Sequence, residues 1–254
     1  MIQRLGKNVG GYFGERINIR EVLNKVETAA ASCDWSVETF HVAEGLKWIA
    51  LQKNIGAAQR RIYLSTGIHG DEPAGPLAAL RLLQENCWPQ NTAITLLPSL
   101  NPRGALLNRR ESPEGLDLNR DYRDVRSPEV RAHLAWLQRQ PQFDLCLCLH
   151  EDWESLGFYV YELNPDQQPS LAETMVAAVR SVCPIDHSEL IEGRAARGGI
   201  IRPELDPHTR TLWPESFWLI QHKTRLSYTL EAPSDFPLEV RVKALVTAVH
   251  AALA

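Results

Sequence analysis

Apolar positions along the chain fall into short runs separated by stretches with helical spacing. Runs of strand length recur at residues 35–40, 46–51, 61–65, 93–97, 143–149 and 226–230. Helical spacing predicts helices over 22–31, 72–86, 128–138, 170–182 and 238–253. Strands that alternate with helices predict an α/β fold, a mixed, largely parallel twisted sheet with helices on both faces. The 254 residues fit one large α/β domain or two small ones, and the continuous alternation predicts one over 1–254, with no motif in 1–60. Two segments, 100–125 and 185–214, are rich in Pro, Gly, Arg and acidic residues. Both exceed the roughly 12 to 15 residues beyond which structureless connections become uncommon and are usually functional.

Composition narrows the class. Hydrophobic residues make up 44% and charged residues 23%, an ordinary globular balance. A formal charge of −4 excludes a general nucleic-acid footprint, although a local basic pocket is compatible with it. Five cysteines, an odd number, argue against a disulfide framework. Residues 1–14 contain no apolar leader core, and no run approaches the roughly 18 apolar residues of a membrane span. The expectation is a soluble, cytoplasmic chain; its oligomeric state is not indicated.

Four elements carry chemistry. The first is Ser65 to Glu72, Ser-Thr-Gly-Ile-His-Gly-Asp-Glu, at a predicted strand-to-helix turn. Ligands bind at such strand ends in open α/β sheets, and His69 and Glu72 at this spacing can converge on one ion. Equally, Glu72 can be a first-turn carboxylate favoured by the helix dipole. The second is Asn101-Pro102-Arg103-Gly104, then Arg109 and Arg110, then Asp117-Leu118-Asn119-Arg120. It offers bidentate donors for an anionic substrate, or surface ion pairs of little weight. The third is the apolar run 145–149 followed by His150, Glu151 and Asp152. Period two puts Cys146, Cys148 and His150 on one face, but buried cysteines mostly act as small hydrophobes, which leaves His150 as the better single ligand. The fourth is Glu231, an acid closing the apolar run 226–230. It can serve as a general base if it reaches a metal site, and otherwise is a solvated strand end.

In this order the elements resemble the zinc carboxypeptidase (funnelin-type) family, including its peptidoglycan-peptide members and the succinylglutamate desuccinylase and aspartoacylase branch. The resemblance runs from about residue 61 to 254. It implies one zinc ion held by His69, Glu72 and His150, with Asp117 orienting the His69 imidazole. It further implies Asn119 and Arg120 on a substrate carboxylate, Arg110 or its rival Arg109 on the scissile carbonyl, and Glu231 as general base and acid. The implied activity is a zinc metallocarboxypeptidase cutting an amide bond beside a free carboxylate. The alternatives are an N-acyl amino acid deacylase and a catalytically silent zinc- or peptide-binding module. The sequence departs from the family in three places. Residues 203–212 hold His208, Thr209 and Arg210 but no tyrosine to cap the substrate; Glu151-Asp152 follows the third ligand; and 153–161 is an aromatic insertion.

Overall fold

The computed structural model describes residues 2–56, 58–206 and 209–254; His208 lies outside them. Helix α1 (Ile19–Ser32) begins three residues before its apolar periodicity, because the Asn18 side chain accepts a hydrogen bond from Glu21 N and caps it. A hairpin follows, β1 (Ser36–Ala43) and β2 (Leu46–Lys53), then β3 (Arg60–Thr66), α2 (Ala74–Glu85) and β4 (Thr92–Leu97). The next segment holds α3 (Pro102–Leu107) and one 3-10 turn (Leu118–Arg120), and leads to α4 (Pro128–Arg139) and β5 (Leu145–Asp152). Then come β6 (Tyr159–Leu163), α5 (Ala172–Val179), β7 (Leu190–Ile191), β8 (Arg194–Arg197) and β9 (Ile200–Ile201). The chain closes with α6 (Glu215–His222), β10 (Ser227–Pro233) and α7 (Leu238–Leu253).

One ten-stranded sheet has the order β1-β2-β4-β3-β5-β10-β6-β9-β8-β7. The mixed α/β architecture expected from the sequence is present. Its parallel pairs β4-β3, β3-β5 and β5-β10 form the centre, β6-β9 is also parallel, and the remaining neighbours are antiparallel. The central strands are apolar on both faces because both are covered. Leu145, Leu147 and Leu149 of β5 join Ile62, Leu64, Tyr228 and Leu230 in a core beneath α1, α2, α5 and α7. Cys146 and Cys148 point the other way, into a second core with Tyr63, Trp136 and Leu219 from the side of α4 and α6. The cysteines are thus buried packing groups, and all five in the chain are free thiols.

Several local expectations change. Helix α2 starts at Ala74, so Glu72 lies in the turn before the helix rather than in its first turn. The two long segments are built of short elements, among them α3, β7, β8 and β9. The aromatic stretch 153–161 leads into β6, which pairs antiparallel with β10. Residues 36–53 form the sheet edge. Among the described residues no helix is long and apolar enough to cross a membrane.

Candidate metal centre and substrate cavity

Three parallel strands, β3, β5 and β10, bring the site together. β3 ends at Thr66, and the tight turn beyond it carries His69 and Glu72. Its glycine is required by close packing: a Cβ at Gly70 would run into the backbone of Gly104 and Ala105 in α3. His150 lies within β5, and the β5-β10 register places Glu231 directly beside it. Neighbours in register share a face of the sheet, so the imidazole and the carboxylate project to the same side.

His69, Glu72 and His150 are all buried, and one ligand atom from each lies within 4.8 Å of the others. Glu72 sits between the rings: its Oε1 is 2.5 Å from His69 Nδ1 and its Oε2 is 3.0 Å from His150 Nδ1. The backbone N–H of Glu151 donates to Glu72 Oε2 at 3.1 Å. Burial opposes ionisation of Glu72, but the two histidines outweigh it and hold the carboxyl well below its ordinary range. On the far side of its ring, His69 Nε2 lies 3.3 Å from Asp117 Oδ1, within ion-pair distance although off the line of a good hydrogen bond. A carboxylate there can hold a proton on Nε2, which would leave Nδ1 free to serve as a ligand atom when a metal ion is bound. Two imidazole nitrogens and one carboxylate, buried and held from outside, are a donor set that fits a zinc ion.

Around the triad lies a cavity of about 920 Å³. Glu231 lines it, partly exposed to the cavity yet enclosed by protein. Burial first, then the negative charges of Glu72, Glu192 and Asp152, push its carboxyl pKa well above the usual value. Arg110 also lines the cavity, with Nε 3.1 Å from Asp117 Oδ2 and Nη1 3.7 Å from Glu72 Oε1. Arg109 is exposed and absent from the cavity lining, because the turn after α3 sends only the second of the two arginines inward. The structure thus brings Arg110, and not its rival Arg109, to the cavity with the other candidate site residues.

Asn119 and Arg120 line the cavity in the 3-10 turn that follows Asp117. Asn119 Oδ1 accepts a hydrogen bond from the backbone N–H of Glu215 at 2.8 Å, which leaves its amide nitrogen as the donor available to a ligand. Arg103, by contrast, is structural: its guanidinium reaches Glu44, Glu114 and Glu129 at 2.6, 2.7 and 3.0 Å, and Asn101 caps α3 through Gly104 N. Glu151 is likewise scaffold. It accepts from Ala74 N at 2.6 Å and pairs with buried Arg241 of α7.

Sequence reasoning missed part of the wall. Arg194 in β8, Arg210, Tyr161 of β6 and Glu192 all line the same cavity. Arg210 rests over the Phe217 ring, 4.6 Å from its centroid, and donates to Glu204 O at 3.1 Å. Burial, then the positive charges of Arg194 and Arg120, lower its pKa. Among the described residues neither Arg194 nor Arg210 has a carboxylate within ion-pair distance. Three guanidiniums in mutual repulsion therefore face one cavity, an arrangement that favours an anionic ligand. The sequence signal for Arg194 and Arg210 was a concentration of arginine in 194–210.

Comparison with known proteins places this geometry. Residues 58–190 match the family model of the succinylglutamate desuccinylase/aspartoacylase catalytic domain. That span contains His69, Glu72, Arg110, Asp117, Asn119, Arg120 and His150 but not Glu231. Carboxypeptidase SOL1 of Arabidopsis thaliana is 33% identical over 104 residues, a match covering 33% of this chain and 21% of that protein. The chain thus spans about a fifth of that relative's length. Among solved structures, a candidate metallopeptidase of Shewanella amazonensis superposes with a TM-score of 0.81 at 23% identity, over 94% of this chain and 96% of its own. A metallo-carboxypeptidase of Burkholderia cenocepacia superposes with a TM-score of 0.66 at 18% identity, covering 93% and 68%. At these identities the likeness is one of fold.

Proposed function

The chain belongs to the succinylglutamate desuccinylase/aspartoacylase catalytic-domain family, and from that premise we propose that it is a zinc-dependent metallocarboxypeptidase, a single cytoplasmic catalytic domain that hydrolyses an amide bond beside a free carboxylate. The observation that carries the reading is the meeting of buried His69, Glu72 and His150 in the cavity that Glu231 and Arg110 also line. A bound zinc ion supplies Lewis acidity at the carbonyl and makes water a nucleophile near neutral pH. The chain's own residues do the rest. Glu231 takes the proton from the attacking water and returns it to the leaving amine. Its surroundings suit that work, because burial and the neighbouring carboxylates raise its pKa and make it a stronger base than an ordinary glutamate. Arg110, anchored by Asp117, meets the charge that develops on the carbonyl oxygen. The Asn119 amide nitrogen and the Arg120 guanidinium hold the substrate carboxylate, which puts the amide bond over the triad.

A second reading, an N-acyl amino acid deacylase, is favoured by the family match itself. Both use the same residues. Incubating the zinc-loaded protein with C-terminally varied peptides, peptidoglycan peptides and N-acyl amino acids separates them. Turnover of peptides alone supports the first reading, and turnover of acylated amino acids alone supports the second. Zinc binding with no hydrolysis of any of them would leave a silent binding module and overturn both.

A further inference from the structure

Nothing in the reaction above uses residues 4–15, yet Tyr12 among them lines the cavity. Residues 4–15 run without regular secondary structure and are tied down at both ends. Arg4 Nε pairs with Asp235 Oδ2 at 3.0 Å, Leu5 N donates to Asp235 O at 2.7 Å, and Lys7 N donates to Asp235 Oδ1 at 2.8 Å. At the other end Glu15 pairs with Arg241, the same guanidinium that holds Glu151 beside His150. Between these ties the Tyr12 side chain folds over Gly14, so that a Cβ there would run into its ring. That ring lines the cavity, and its hydroxyl donates to the carbonyl of Asp71 in the His69–Glu72 turn.

The segment is held against the turn that follows β3, through Tyr12 and Asp71, whereas Arg194 comes from β8. In the strand order β3-β5-β10-β6-β9-β8 the strands that carry His150 and Glu231 lie between them. Tyr12 and Arg194 thus reach the cavity from opposite sides of those central strands. The Asp71 carboxylate lines the cavity beside Tyr12, with no ion-pair partner among the described residues. One wall offers cationic groups, and the opposite wall offers a free carboxylate under a tethered aromatic ring.

We propose that this N-terminal strap is the end wall of the substrate cavity on the amino side of the scissile bond, and that Tyr12 and Asp71 make it select a short peptide with a free ammonium group, a dipeptide in the simplest case. This rests on the function proposed above, with the substrate carboxylate at Asn119 and Arg120. A longer peptide has to displace Tyr12. An N-acyl group removes the charge that Asp71 faces, and an anionic acyl group such as succinyl places like charges together.

The test is calorimetric binding to zinc-loaded Glu231→Gln protein of three probes sharing one C-terminal residue: Ala-Glu, N-acetyl-Ala-Glu and Ala-Ala-Ala-Glu. Ala-Glu is expected to bind about tenfold or more tightly than either of the others, the scale of one hydrogen bond to a charged group. Adding Tyr12→Ala should bring the tetrapeptide within about threefold of the dipeptide, and adding Asp71→Asn should do the same for the acetylated probe. Gly14→Ala, which dislodges the ring but keeps its hydroxyl, should act like Tyr12→Ala. Equal binding of all three probes by the parent, or a preference unchanged by the variants, would overturn the strap's role and leave the proposed function standing. Binding of none of them with zinc retained would instead defeat the carboxylate-bearing substrate class, and this inference with it.

Discussion

Helix α6 opens with a carboxyl group that water barely touches. Glu215 is 1% exposed and accepts hydrogen bonds from Tyr63 Oη at 2.6 Å and Ser65 Oγ at 2.8 Å. Burial outweighs these bonds and raises its pKa from 4.5 to about 7. The folded protein thus holds this proton more tightly than the unfolded chain does. The resulting stability is fully present below pH 4.5, falls through the window between, and is lost once pH passes about 7. A displacement of about 2.5 units at 1.36 kcal/mol each sets a ceiling of about 3.4 kcal/mol, of which about 2.5 kcal/mol disappears between pH 5 and pH 8. Glu215→Gln, close in shape and without a proton to lose, should shed that dependence. Urea denaturation of both proteins at matched zinc, at pH 5, 6, 7 and 8, gives the difference in unfolding free energy at each pH, and shared titrations cancel in it. The difference should move by about 2.5 kcal/mol in favour of the glutamine variant from the lowest to the highest pH. Parallel curves would refute the reasoning, because they would mean Glu215 carries the same protonation state folded and unfolded.

Other expectations concern the metal and the charges around it. His69→Ala should lose stoichiometric zinc, as measured by metal analysis after dialysis, and variants of His150 should do likewise; parental zinc content in either would remove that residue from the ligand set. Glu231→Gln should keep its zinc and fold while turnover falls about 100-fold or more, the scale of acid and base catalysis. For Arg110→Ala a loss of about 100-fold should appear mainly in kcat rather than KM, since charge on the carbonyl oxygen develops only in the transition state; a change confined to KM would reassign it to ground-state binding. Arg241→Ala leaves Glu151 buried without its cation, and chemical denaturation should register a loss of about 3–5 kcal/mol.

Periodicity and motif spacing revealed the central part of the molecule because there each residue obeys one rule. Helix α7 has the bounds its spacing predicts, and β3, β4, β5 and β10 differ from the predicted runs by a few residues at their ends, since both faces of each are buried. The segments that resisted were those in which no periodicity has room to appear. β7 and β9 are two residues each, and β6 carries a buried polar Glu162 in a five-residue strand. Helix α6 opens directly after Pro214 with that buried acid, so its start looked like loop. The residues of the candidate metal centre were singled out by the order of motifs that resembles the zinc carboxypeptidase family, whereas Tyr12 and Arg194 carried no such signal and Arg210 was noted only where a capping tyrosine is lacking. They belong to the cavity only through tertiary folding, from parts of the chain where spacing carries no signal.

The register that sets His150 beside Glu231 has an engineering consequence. Their separation is dictated by the hydrogen-bond ladder of two parallel strands in the middle of the sheet, and neither side chain is carried on a connection. The cavity-lining residues Tyr12, Glu192, Arg194 and Arg210, in contrast, come from peripheral segments outside that ladder, and under the proposed function they would add selectivity to the hold of Asn119 and Arg120. Transplanting those peripheral pieces from a relative should therefore redirect which compounds are cleaved while the bond-breaking apparatus keeps its dimensions.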